Sequence, residues 1–307
     1  MDSKNTISIA LIEKQKPFNW TINKINESLL MTNNEEINLT ENFKNTGTFY
    51  SKIIDLEIRT ATSNQYAVFV TQMSSGDENM NNTNIFVING VIDSGYRGIV
   101  KALVYYRSTV KKINPYDLKI KLLLLELSKD LIPVSPKLHS LDKHGELNFF
   151  NIFNKKRDED AGYDIPSPRM VRIEPGYSYL LSLPIFQLEM KNPPIACIFG
   201  RSSLNSSGII VLPTIWKPKT LCQFFIKNIS SKIVTIEKGQ RIAQLVLLKN
   251  TQQLWLQPQI NCHSLFPKTN YLNSSNQEGD MWKFTEDLDI EAPRSLRGIN
   301  GFGSTGL

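Results

Sequence analysis

The chain has 307 residues, 41% of them hydrophobic and 21% charged, with a formal net charge of +6. That balance fits a soluble globular protein and excludes a disordered or fibrous chain. No apolar run reaches the length of a membrane-spanning helix, and lysines and arginines are scattered rather than blocked. Neither a membrane nor a nucleic acid is therefore an expected partner.

In chain order, short β-rich runs separated by Gly, Pro, Asn and Ser extend from residue 7 to residue 249, for example 66–70, 99–106, 122–125, 195–199 and 245–248. Segments of helical period are scarce, so the pattern predicts an all-β, jelly-roll-like fold. The polar stretch 270–289 reads as mobile. Cys197, Cys222 and Cys262 form no CxxC pair, and their odd number points to a reducing, intracellular compartment.

The sequence also repeats itself. Gly90 falls on Pro213 and Ile113 on Ile236, both at an offset of 123 (213 − 90 and 236 − 113). At that offset apolar positions agree: Ile92 with Ile215, Leu103 with Ile226, Leu122 with Leu245. Polar positions do not, since Asp93 faces Trp216, Tyr96 faces Lys219, Leu118 faces Arg241 and Lys121 faces Gln244. A repeat that keeps its core but divides its polar groups predicts two copies of one β domain sharing one site. The expected units are 1–150 and 151–250, followed by a connecting segment and C-terminal arm over 251–307.

His139, His144 and His263 have no zinc spacing with one another or with the cysteines. The acidic run Asp158-Glu-Asp reads as a solvated turn. Gly301-Phe-Gly-Ser-Thr-Gly306 satisfies GxGxxG, but no helix or βαβ unit follows it, and there is no Gly-Lys-[Ser/Thr] for a Walker A loop. A Gly-rich arm whose N–H groups and hydroxyls wrap a phosphate chain remains.

Five segments together resemble the motif set of the dUTPase superfamily. They are Gly90-Val-Ile-Asp-Ser-Gly-Tyr-Arg-Gly, Ala161-Gly-Tyr-Asp-Ile, Gly200-Arg-Ser-Ser-Leu, Gly239-Gln-Arg-Ile-Ala-Gln-Leu and Arg297-Gly-Ile-Asn-Gly-Phe-Gly-Ser-Thr-Gly. In trimeric members the Gly-Val-Ile-Asp motif follows Gly-Arg-Ser-Ser-Leu, whereas here it precedes it. That displacement is similar to the single-chain herpesvirus type, with its duplicated fold and one composite site. Gly95, where many relatives have Asp, and Asn300, in a usually Gly-rich arm, depart mildly from the pattern.

The resemblance implies a monomeric enzyme that hydrolyses dUTP to dUMP and pyrophosphate with Mg²⁺, keeping uracil out of DNA and supplying dUMP for dTMP synthesis. It implies Asp93 as general base toward the attacking water. The hairpin from Gly90 would read uracil through backbone groups, and Tyr96 would lie beneath the deoxyribose. Asp164 would hold Mg²⁺ through water, as suits an ion that takes few protein ligands. Arg201, Ser202, Ser203 and Gln244 would meet the phosphates, with Arg97 and Arg241 as braces. In the arm, Phe302 would stack on uracil, Gly303, Ser304 and Thr305 would line the phosphates, and Arg297 would reach the γ-phosphate. The alternative is a catalytically inactive relative kept as an interaction protein, which decay of the motifs would signal. A dCTP deaminase would need a Glu base that no motif supplies.

Overall fold

The computed structural model describes residues 10–25, 28–46, 49–73, 84–136, 152–249 and 281–299. Two β-sandwiches fill them. In the first, one sheet runs in the order Trp282–Thr285, Ala10–Lys14, Tyr50–Thr62, Ile99–Tyr106, Ile85–Ile88. It faces a second sheet ordered Trp20–Ile25, Ser28–Asn33, Lys119–Glu126, Tyr66–Gln72, Gly90–Ile92. Ile12, Leu29, Leu56, Val68, Val104, Leu122 and Leu124 pack between them.

The second sandwich pairs Val134–Pro136, Ser178–Gln187, Leu221–Asn228 and Ile209–Val211 in one sheet. Tyr163–Pro166, Arg241–Leu248, Ile195–Gly200 and Thr214–Trp216 form the other. Its core holds Ile165, Leu181, Ile198, Phe224, Ile226, Leu245 and Leu247. Ile132 already belongs to this core, so the change of core falls upstream of the 150/151 boundary expected from the sequence.

The uninterrupted run Leu122 to Leu125 has a simple cause. Successive strand residues point to opposite faces. Leu122 and Leu124 enter the first core, while Leu123 and Leu125 enter a seam against the second sandwich. Arg241–Leu248 is buried on both faces in the same way, with Leu245 and Leu247 inward and Val246 and Leu248 in the seam. Phe69 and Phe199 meet there with ring centroids 5.2 Å apart.

The strand pairings confirm the repeat and correct its register. Phe69 lies between Val91 and Leu123, and Cys197 lies between Ile215 and Val246, all on the seam side. Core-facing Ile92 therefore corresponds to core-facing Trp216, an offset of 124 (216 − 92). Val104, paired with Val87, corresponds to Ile226, paired with Val211, an offset of 122 (226 − 104). Leu123 and Val246 keep 123 (246 − 123). The expected matches of Asp93 with Trp216 and Leu103 with Ile226 are thus one residue out, because a one-residue slip turns a side chain to the other face. Asp93 corresponds to Lys217.

The stretch 270–289 also departs from expectation. Residues 270–280 lie outside the described residues, but Trp282–Thr285 adds to the first sheet parallel to Ala10–Lys14, with Ala10 opposite Trp282. Trp282 is 1% exposed within the first core. Burial of a single large side chain outweighs the polar composition around it. Trp282→Ala should destabilise the protein by about 3–5 kcal/mol. Urea unfolding checks this, and a loss well under 1 kcal/mol would contradict the docking of this strand.

Candidate active site

A cleft opens where the two sandwiches meet. Its lining includes Gly90, Asp93 and Tyr96 from the first, Asp164, Arg201, Ser202, Ser203 and Gln244 from the second, and Arg297 from the C-terminal segment. The sequence placed all of these in one site, and the fold brings them together. Phe302, Gly303, Ser304 and Thr305 lie outside the described residues, as do the three histidines and Cys262.

Strand Gly90–Ile92 is the last strand of its sheet, so one edge of its backbone faces away from the ladder. It runs into a turn closed by Tyr96 N–H donating to Asp93 O at 3.1 Å. Arg97 braces this turn from outside, donating from Nη1 to Ser94 O at 2.7 Å and from Nη2 to Pro293 O at 2.9 Å. Tyr96 is 8% exposed, and its hydroxyl donates to Ile99 O at 3.0 Å.

Asp93 is nearly enclosed. Ala161 N–H donates to Oδ1 at 2.6 Å, and Arg297 Nη1 lies 2.6 Å from Oδ2. Burial pushes the carboxyl above its ordinary range, more than the Arg297 cation and the Ala161 N–H pull it down, and nearby Asp160 adds to the rise. A buried carboxylate that retains an elevated proton affinity is suited to taking a proton from water.

Asp164 sits on Tyr163–Pro166, directly across the ladder from Gln244. Arg201 Nε approaches Oδ1 at 3.2 Å and Arg241 Nη1 approaches Oδ2 at 3.1 Å. Arg241 is thus ion-paired to Asp164 within the cleft. Burial lowers the Arg201 pKa, with Asp164 opposing the fall. Gln244 Nε2 donates to Gly200 O at 3.3 Å, which ties the two motif strands at the cleft floor. Among the described residues no group of three or more His, Cys, Asp or Glu could hold a metal by itself.

The acidic run at 158 forms the expected turn, with Asp158 exposed, but Glu159 and Asp160 are drawn into contacts at the cleft. Asp160 lines the cleft and pairs with Arg297 Nη1 at 2.8 Å, while Glu159 receives hydrogen bonds from Ser295, Leu296 and Arg297. Lys156, Arg157 and Asn205 also line the cleft. A sequence signal existed for two of these, since Lys155-Lys156-Arg157 is a basic run just ahead of Ala161-Gly-Tyr-Asp. Nothing local marked Glu159 or Asn205.

Residues 148–274 match the family model described as dUTPase. The deoxyuridine 5'-triphosphate nucleotidohydrolase of equine herpesvirus 1 is 37% identical over 98% of this chain and 97% of its own length. That of equine herpesvirus 4 (strain 1942) is 39% identical over 91% of each chain. Among solved structures, EIAV dUTPase aligns with 39% of this chain and 88% of its own at 21% identity, with a TM-score of 0.31. Matched by the herpesvirus enzymes across almost all of its length, the chain belongs to the herpesvirus deoxyuridine 5'-triphosphate nucleotidohydrolase family and is a dUTP diphosphatase.

Proposed function

We propose that Asp93 is the general base in a single composite site that hydrolyses dUTP to dUMP and pyrophosphate by attack of water on the α-phosphorus. The observation that carries this reading is the placement of a buried, proton-avid carboxylate from one sandwich opposite the cationic Arg201 and Arg241 of the other, in one cleft. Phosphoryl transfer is largely positioning and charge stabilisation, so a base on one wall and cations on the other is a sufficient division of labour.

Uracil offers a C=O, N–H, C=O edge. The outer backbone edge of Gly90–Ile92 presents the alternating donors and acceptors that match it. Tyr96 closes the floor beneath the deoxyribose, where a 2′-hydroxyl would collide. Arg201, Ser202, Ser203 and Gln244 meet the phosphates from the second sandwich. Arg297 reaches the terminal phosphate and, in leaving Asp93, frees the base. Among the described residues its buried Nε has no hydrogen-bond partner, which leaves one donor in reserve. The contacts expected of Phe302, Gly303, Ser304 and Thr305 fall outside the described residues.

The donor set fits Mg²⁺, a hard cation that keeps several waters and relies on substrate phosphates. Asp164 is the carboxylate that would hold it through water. Each of its oxygens carries one arginine contact, and each has a second acceptor site. When bound, the ion would offset phosphate charge.

Asp93→Asn should lower kcat steeply with little change in KM, because the loss is confined to the transition state. In the wild type, kcat/KM should fall with decreasing pH along a limb centred above the ordinary Asp value of about 3.9. The sign follows from the raised pKa: the base is ionised only above it. A limb at or below that value, or an Asp93→Asn enzyme of normal kcat, would remove Asp93 from the role.

With Mg²⁺, dUTP should be hydrolysed far faster than UTP or dTTP, and EDTA should suppress turnover. Comparable rates on UTP would remove Tyr96 from sugar discrimination, and turnover indifferent to EDTA would remove Asp164 from metal binding. Because the whole described site lies on one chain, light scattering should find an active monomer. An obligate trimer that dissociates with loss of activity would contradict a single-chain site.

A further inference from the structure

The last described segment, 293–299, crosses from one sandwich to the other without an apolar anchor of its own. Leu296 is 86% exposed and Ile299 77% exposed, so hydrophobic burial does not hold it in place. Polar contacts do. Glu159 Oε1 accepts from Leu296 N–H at 3.0 Å, and Oε2 accepts from Arg297 N–H at 3.1 Å. Ser295 Oγ lies 2.9 Å from Glu159 Oε2 and 2.5 Å from Gly95 O, and its single proton serves one of them at a time. The same oxygen accepts from Arg297 N–H at 3.0 Å. On the other flank Arg97 N–H donates to Gly298 O at 2.9 Å.

Gly95 completes the arrangement. A Cβ at this position would overlap the Glu159 carboxylate and lie 2.7 Å from Ser295 Oγ, so any side chain here would evict the clasp. The departure noted in the sequence, Gly in place of the Asp found in many relatives, is therefore matched to an acid and a hydroxyl far away in the chain.

We infer that Glu159, Ser295 and Gly95 form a clasp that fixes the root of the C-terminal segment across both sandwiches and so positions Arg297 over Asp93 and the cleft. These are positioning residues, and the inference rests on the reading of Arg297 as a group that serves the reaction. The clasp fixes the Arg297 backbone while its guanidinium, resting on Asp93 and Asp160, stays within reach of either carboxylate or a bound phosphate. Burial disfavours the ionised Glu159. The Leu296 N–H, the Ser295 hydroxyl and the Arg297 N–H outweigh it and hold the pKa below the usual carboxylate range. The nearby Arg97 cation adds to this lowering, so the clasp weakens as pH falls through the depressed pKa.

The test compares wild type, Glu159→Ala, Glu159→Gln, Gly95→Ala, Arg297→Ala and the Glu159→Ala/Arg297→Ala double variant in dUTP hydrolysis with Mg²⁺. Thermal unfolding and amide hydrogen exchange are measured alongside. Glu159→Ala should speed exchange at the Leu296 and Arg297 amides and lower kcat/KM by on the order of 10²-fold, the scale of a misplaced catalytic group. Its unfolding midpoint should stay near that of the wild type, because no core contact is lost. Gly95→Ala should reproduce both effects with the acid still present. Glu159→Gln, which keeps one acceptor oxygen, should fall between. In the Arg297→Ala background, Glu159→Ala should cost nothing further. If Arg297→Ala lowers kcat/KM while Glu159→Ala stays at the wild-type value, or if the two losses simply multiply, the clasp does not act through Arg297. If Arg297→Ala itself keeps full activity, the reading of the site is what fails.

Discussion

The apolar seam between the two sandwiches decides where the polar groups that each sandwich brings to the site can be. Phe69, Leu123 and Leu125 on one side meet Cys197, Phe199, Val246 and Leu248 on the other. These residues alternate along their strands with core residues, so the seam and the cores are set by the same pleat. Once Phe69 packs against Phe199, the strand beside Phe69 carries the Asp93 turn to the rim of the seam. The strand bearing Phe199 ends at Gly200 and delivers Arg201 to the same rim. Asp93 and the cations therefore share one cleft because two hydrophobic faces share one boundary.

Within that cleft the carboxylates are held by arginines. Asp93 and Asp160 share Arg297, and Asp164 lies between Arg201 and Arg241. Partly buried ion pairs of this kind offset a desolvation cost, and removing one partner strands a charge at a cost of about 3–5 kcal/mol. On the proposed mechanism Arg297 cannot simply leave Asp93. Phosphate oxygens must replace the carboxylate as its partner, so the base is freed only when an anion of the right reach is present. Its Nε, without a partner among the described residues, gives Arg297 an additional donor for that exchange.

Much of this was legible in the sequence, for identifiable reasons. Residues of the Asp93, Asp164, Arg201 and Gln244 motifs stand in local strings, and the fold places them on one cleft. The doubled core was legible from apolar positions, yet its register was not. Alternating patterns match nearly as well one residue out, and only knowledge of which face meets the seam separates Ile92–Trp216 from Ile92–Ile215. The role of Glu159 could not be read either, because its partner Ser295 is 136 positions away and neither residue belongs to a periodic pattern. Trp282 was hidden by its polar surroundings, although one indole in a sheet edge is enough to dock the strand.

Carrying both halves on one chain changes what the seam must accomplish. In an assembly of separate subunits the interface has to offset lost translational and rotational freedom, a cost of several kcal/mol or more. Here the linker has already fixed the effective concentration of one half relative to the other. The seam can therefore be modest in extent and still hold Asp93 opposite Arg201. What the linkage does not settle is the position of the C-terminal segment, whose exposed Leu296 and Ile299 contribute no apolar anchoring. That task falls to directional contacts. A carboxylate taking two backbone N–H groups and a hydroxyl, against a glycine that leaves it room, specifies a backbone position more sharply than an apolar patch could. It also does so without burying surface that the segment would have to give up in order to move.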